Sequence, residues 1–205
     1  MEKYLFNDNK IVIASHNKGK VKEIKVLLKP LKIEVLSAGD FNLEEPIEDG
    51  LSFEKNALIK SSYVSKNTGI PSLSDDSGIC FSDLNNEPGV YSARWGGEGK
   101  NFNLAMSKIN ASIRKVENPS YDCFFVCALS LSWPNGNNVT VSGKIDGKFS
   151  WPPKGNFGFG YDPIFKPLGY DVTFAEMDPK FKHSISHRAL AFNKLISLCF
   201  PSLEN

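Results

Sequence analysis

Residues 10–38 read strand, helix, strand, and this opening constrains the fold more than any other feature of the chain. "KIVIAS" (10–15) is rich in β-branched residues and reads as a short buried strand. Val21, Ile24, Leu27 and Leu28 then share one helical face, and Pro30 ends that helix. "KIEVLSA" (32–38) reads as a second strand. A β-α-β start places the chain in the α/β class.

The pattern continues downstream. "DFNLEEPIEDG" (40–50) is a polar loop, and Ser52 can cap a helix running to about residue 66, with Phe53, Ala57 and Val64 inward. The stretch "SLSDDSG" (72–78), between apolar flanks, reads as a strand–turn–strand. "NNEPGVYSARWGGEG" (85–99) is loop, and a helix is expected over 102–116. Strands are expected over 121–133 and 138–147, joined by a "PNGN" hairpin turn. "PPKGNFGFGYDP" (152–163) is loop, and a last helix runs from about 186 to 198. No repeat or linker divides the chain, so a single domain over 1–205, with two lobes, is expected.

Composition narrows the partners. The chain is 41% hydrophobic and 23% charged with a net charge of +1, which points to neither polymeric nucleic acid nor a membrane surface. No apolar run reaches the ~18–20 residues of a membrane span, and the start "MEKYLFNDNK" lacks a signal-peptide core. The four cysteines, Cys80, Cys123, Cys127 and Cys199, form no C-x-x-C pair and read as reduced core thiols, so a cytoplasmic setting is expected.

Five stretches could carry chemistry. "SHNKGK" (15–20) joins a strand to a helix, where free N–H groups, the helix dipole and Lys20 could cradle phosphate, although it is not a Walker loop. Glu48 and Asp49 precede the capped helix, whose Asn56 and Lys60 lie along one face; an exposed acidic loop and a set of cation ligands are both open readings. Adjacent Asp75 and Asp76 repel each other if both are ionised and desolvated; a solvated turn explains them, and so does a hard cation such as Mg²⁺. In "NFGFGYDPIF" (156–165) glycines interleave with aromatics, giving either a core plug or a stacking platform for a flat base. In "KFKHSISHRALAF" (180–192), His187 or Arg188 can donate to a carbonyl on a base edge, whereas His183 and His187 lack a third soft ligand for zinc.

Taken in order, "SHNKGKVKE", "EDGLSFEKNA", "SDDSGI", "PGVYSAR", "GFGYDPIF" and "KHSISHR" closely resemble the inosine triphosphate pyrophosphatase (Ham1-like) family, from Ile11 to about Phe192. The resemblance implies an elongated α/β fold with a long mixed central sheet and two lobes flanking an active-site cleft. It implies a Mg²⁺-dependent homodimer that cleaves the triphosphates of hypoxanthine and xanthine nucleosides to monophosphate and pyrophosphate. Carried over by position, Ser15, His16, Asn17, Lys18, Gly19 and Lys20 form the triphosphate loop. Glu48 and Asp76 hold the metal, and Asp76 also accepts the proton of the attacking water. Lys20 and Lys60 act at the phosphates and Ser77 contacts substrate. Phe159, Gly160, Tyr161 and Asp162 line the base and ribose pocket, and Lys182, His187 and Arg188 close over the nucleotide. The chain departs from bacterial relatives at His16, where Gly is frequent, and at Ser74, where Ala is common.

Two rivals are weighed against this. A Maf-like pyrophosphatase acting on dTTP or UTP would lack the "SHR" ending and the "GFGYDP" loop. A silent nucleotide-binding protein would not need Glu48, Asp75, Asp76 and the lysines together.

Overall fold

The computed structural model describes residues 4–200. In chain order the strands are β1 (Lys10–Ile13), β2 (Glu34–Ser37), β3 (Ser72–Phe81), β4 (Asp122–Ser132), β5 (Asn138–Phe149) and β6 (Phe165–Pro167). The helices are α1 (Lys18–Leu28), α2 (Phe53–Thr68), α3 (Phe102–Ile113), α4 (Pro179–Ile185) and α5 (His187–Cys199). One sheet takes the order β2-β1-β3-β4-β5-β6. It is mixed: β1 runs parallel to β2 and β3, and β5 antiparallel to β6. The chain gathers into two compact units. The first takes the residues up to 76, 127–143 and those from 188 onward; the second takes 77–126 and 144–187.

In the first unit, β1 is buried on both faces, and its alternation sorts its side chains. Ile11 and Ile13 join Ile24 and Leu28 of α1 and Ala191, Phe192 and Leu195 of α5. Val12 points the other way, to Ala38 and Val64. Asn17 caps α1 and Ser52 caps α2, each accepting backbone N–H bonds from the first turn. Gly69, at φ 68°, ends α2 in the left-handed conformation that glycine adopts without strain.

A seam of hydroxyls ties α2 to the sheet. Ser72 donates to the Ser61 carbonyl and Ser74 to the Ala57 carbonyl, both at 2.5 Å. Ser61 donates to Ser130 at 3.0 Å and lies 2.7 Å from the Ser132 oxygen. Buried hydroxyls are stable there because each finds a partner. In the second unit, Ile79 and Phe81 of β3 pack with Ile109 and Ile113 of α3, Phe125 of β4, Phe165 and Phe174.

The structure corrects the expected strand–turn–strand at 72–78: β3 is one unbroken ten-residue strand. The turn-forming composition was overridden because nine of its ten residues are buried and Ser72 and Ser74 bond to α2. The short α4 and β6 were not anticipated, and α3 stops at Ile113, short of residue 116. All four cysteines are free and buried.

Candidate active site

At the start of α1, Ser15 is buried and its hydroxyl accepts from the Asn17 N–H at 3.2 Å. The Asn17 side-chain oxygen, Oδ1, accepts from the Gly19 and Lys20 N–H groups at 3.0 and 3.2 Å. Two of the helix-start donors expected to be free for phosphate are therefore occupied by the cap. What the loop still offers an anion is the helix dipole and the Lys18 and Lys20 ammoniums. His16 turns to a neighbouring loop, its Nε2 2.9 Å from the Leu43 carbonyl and its Nδ1 3.3 Å from Glu45.

Because β3 is a continuous strand, adjacent Asp75 and Asp76 project to opposite faces of the sheet. They are neighbours in sequence that do not share an environment. Asp76 lies 3.1 Å from Lys60 Nζ through Oδ1, and the same ammonium lies 2.9 Å from Glu48. Asp76 Oδ2 is buried and takes no hydrogen bond among the described residues. Burial lifts the Asp76 carboxyl above its ordinary value against the pull of Lys60 and Lys20. Burial would depress the Lys60 ammonium, but Asp76 and Glu48 hold it above its ordinary value. Asn56 steadies the acidic loop by accepting the Gly50 N–H at 2.8 Å.

Asp75 is fully buried. Its Oδ1 lies 2.9 Å from Lys20 Nζ; its Oδ2 accepts from Arg188 Nε at 2.7 Å and from the Cys127 thiol at 3.0 Å. Arg188 also pairs with Glu23 through Nη1. Burial by itself would raise the Asp75 carboxyl, but Arg188 and Lys20 hold it well below the usual carboxylate range. Burial, with Asp75 alongside, pushes the Cys127 thiol well up, so it stays a neutral donor.

The second unit holds the aromatic set. Asp162 Oδ2 accepts from Lys182 Nζ at 2.5 Å and from the Phe159 N–H at 2.9 Å. The Lys182 ammonium lies 5.3 Å from the Phe159 ring centre and 5.5 Å from that of Phe174. Gly158 and Gly160 have φ of 74° and 68°, and a Cβ on Gly158 would overlap the Asp162 carboxylate. Tyr161 is buried and donates to the Ser92 carbonyl at 2.7 Å, so it braces the loop. His187 stacks on Phe125 at 4.7 Å. Ser77 is half-buried at the start of this unit.

The expected site residues therefore fall into three groups. Glu48, Lys60 and Asp76 meet directly; Lys20 meets Arg188 through Asp75; Phe159, Asp162 and Lys182 meet around one carboxylate. Arg188 turns to Asp75 and Glu23. Sequence reading missed Glu23, Cys127 and Ser92. The available signal for Glu23 was its place three residues after Lys20, on the same helical face.

Glu48 and Asp76 form an oxygen-only donor pair with one buried oxygen open, which fits a hard divalent cation that keeps its other positions for water and phosphate. Among the described residues no group of three or more His, Cys, Asp and Glu side chains is placed to hold a metal ion by itself.

A mixed sheet joined by helices, whose third strand carries opposed carboxylates, one of them beside Lys20 of α1, sets the class: an α/β protein. The Ham1 family profile matches residues 11–198, and the chain belongs to that family. It is 46% identical over 191 residues to the dITP/XTP pyrophosphatase of Zymomonas mobilis subsp. mobilis, covering 93% of this chain and 91% of that one. It is 45% identical to the dITP/XTP pyrophosphatase of Gluconobacter oxydans, covering 98% and 96%. The structure of a HAM1 protein from Coxiella burnetii superposes with a TM-score of 0.86 at 34% identity, covering 93% of this chain and 98% of that one. The Staphylococcus aureus Ham1 protein gives 0.81 at 35%, covering 96% and 100%. The Maf-like alternative gives way to this family.

Proposed function

We propose that the protein hydrolyses non-canonical purine nucleoside triphosphates (ITP, dITP and XTP) to the monophosphate and pyrophosphate, clearing them from the nucleotide pool. The observation that carries this reading is the buried, open Oδ2 of Asp76 beside the Lys60–Glu48 pair. The relatives named dITP/XTP pyrophosphatase, at 46% and 45% identity over nearly the whole chain, support the substrate class.

In this reading Glu48 and Asp76 hold magnesium. When bound, the metal neutralises phosphate charge and makes water a better nucleophile near neutral pH. Asp76 takes the proton of the attacking water. The water oxygen bonds to the α-phosphorus, the bond from that phosphorus to the bridging oxygen breaks, and pyrophosphate leaves with the electron pair. Lys60 offsets the negative charge around Asp76, and Lys18, Lys20 and the α1 N-terminus attract the triphosphate. Ser15 and Ser77 contribute hydroxyls. Phe159 offers its ring to the base. Lys182 and His187 supply donors toward a 6-oxo group, which adenine replaces with an amine. The protein acts as a homodimer in the cytoplasm, a setting consistent with four free buried thiols.

The test is pyrophosphate release from a panel of ITP, dITP, XTP, GTP, ATP, dTTP and UTP with Mg²⁺. The expected result is preference for the hypoxanthine and xanthine nucleotides. Preference for dTTP or UTP, or nucleotide binding without turnover, would overturn the reading. Light scattering after gel filtration checks the dimer.

A further inference from the structure

The two adjacent aspartates invite a common role, because either could supply a metal ligand. Their surroundings separate them. Asp76 keeps one oxygen open. Asp75 has both oxygens engaged by protein groups: Lys20 on Oδ1, and Arg188 and the Cys127 thiol on Oδ2. Three cationic or neutral donors around a fully buried carboxylate are what such a group requires, since an unpaired buried charge is strongly destabilising. A metal at Asp75 would have to displace those partners and strand them in the interior.

The same contacts form a chain of alternating charge. Lys20 from α1 meets Asp75 from β3; Asp75 meets Arg188 from α5; Arg188 meets Glu23, one turn beyond Lys20 on α1. Two cations and two anions balance. The circuit begins and ends on α1 and is fastened to the strand that carries Asp76. Lys20 has a flexible four-carbon stem and would sample many rotamers if left alone. Here its ammonium is pinned at 2.9 Å to the Asp75 carboxylate, with 14% of the side chain still accessible.

We propose that Asp75 is a positioning residue and not a second metal ligand: it fixes the Lys20 ammonium for phosphate, and Arg188 with Glu23 holds Asp75 in place. This rests on the phosphate-binding reading of the 15–20 loop. It gives Arg188 a part at the phosphate end of the site.

The experiment compares wild type, Asp75→Asn, Asp76→Asn, Lys20→Met and the Lys20→Met/Asp75→Asn double variant. Three quantities are measured: inorganic pyrophosphate affinity, steady-state kinetics with ITP, and Mn²⁺ binding to nucleotide-free protein by electron paramagnetic resonance. Asp75→Asn is expected to weaken pyrophosphate binding and lower kcat/KM by roughly 10–100-fold, the range that misplacing one polar group can cost. Mn²⁺ binding stays within about twofold of wild type, whereas Asp76→Asn loses it. The double variant is no worse than Lys20→Met, because residues acting as one unit are not additive. Loss of Mn²⁺ in Asp75→Asn, or losses that multiply in the double variant, would overturn the proposal. Should Asp75→Asn not fold, Glu23→Gln carries the same test, with the same non-additivity against Lys20→Met. If wild type binds pyrophosphate but hydrolyses no triphosphate, the function reading fails while the pyrophosphate and Mn²⁺ measurements still decide the role of Asp75.

Discussion

At the scale of single residues, the difference between Asp75 and Asp76 governs the expected behaviour. Asp76→Asn keeps the size and the Oδ1 contact but removes the charge and the proton acceptor. It should cut kcat by roughly 10²–10⁴-fold, the usual worth of one acid–base group, with circular dichroism unchanged; near-normal kcat would remove Asp76 from the chemistry. Asp75 should show itself in stability. Its carboxyl lies well below the ordinary value when folded, so its contribution is complete above the unfolded pKa and is lost as pH falls through the folded one. Thermal melts should therefore show the gap between wild type and Asp75→Asn widest above about pH 5 and narrowing below about pH 4, the unfolded value being near 3.9. The sequence offered Arg188 as a candidate, but not the direction in which it turns. Its partner Asp75 lies 113 residues away, and no local spacing signals such a pair. Arg188→Ala should accordingly lower kcat/KM for ITP and ATP alike; a selective collapse of the ITP-to-ATP ratio would return the residue to the base pocket.

At the scale of elements, periodicity and caps carried well from sequence to structure. The β-α-β opening, the Ser52 cap and the last helix all follow from apolar spacing and capping chemistry. Strand β3 did not, because Ser, Asp and Gly favour turns locally, and only the distant partners Ala57, Ser61 and Arg188 make them tenable in a strand. The seven-residue α4 is too short to show helical periodicity. The glycine-bent loop offers its own test. Gly158→Ala puts a side chain at φ 74° and into the Asp162 carboxylate, so it should disturb the Lys182–Asp162–Phe159 arrangement and raise KM for ITP. Gly169→Ala has a comparable φ of 85° but open space around it, and should leave KM unchanged. Equal effects of the two on KM would mean that backbone strain alone matters there.

For the whole molecule, dependence on a hard cation is the broadest expectation. Removing divalent ions with EDTA should abolish pyrophosphate release, and Mg²⁺ or Mn²⁺ should restore it, since oxygen donors favour those ions over zinc; full turnover in metal-free protein would overturn the assignment of Glu48 and Asp76. The core of the first unit has a different kind of consequence, for how the chain is made. Ile11 and Ile13 pack against Ala191, Phe192 and Leu195, roughly 180 residues later. At translation speeds of about 5–20 residues per second, strand β1 waits roughly 9–36 s before its last packing partner is synthesised. For that interval the core around β1 lacks the face that α5 supplies. A nascent chain stalled before residue 187 is thus expected to stay protease-sensitive in its first 40 residues, and to become resistant once α5 has left the ribosome.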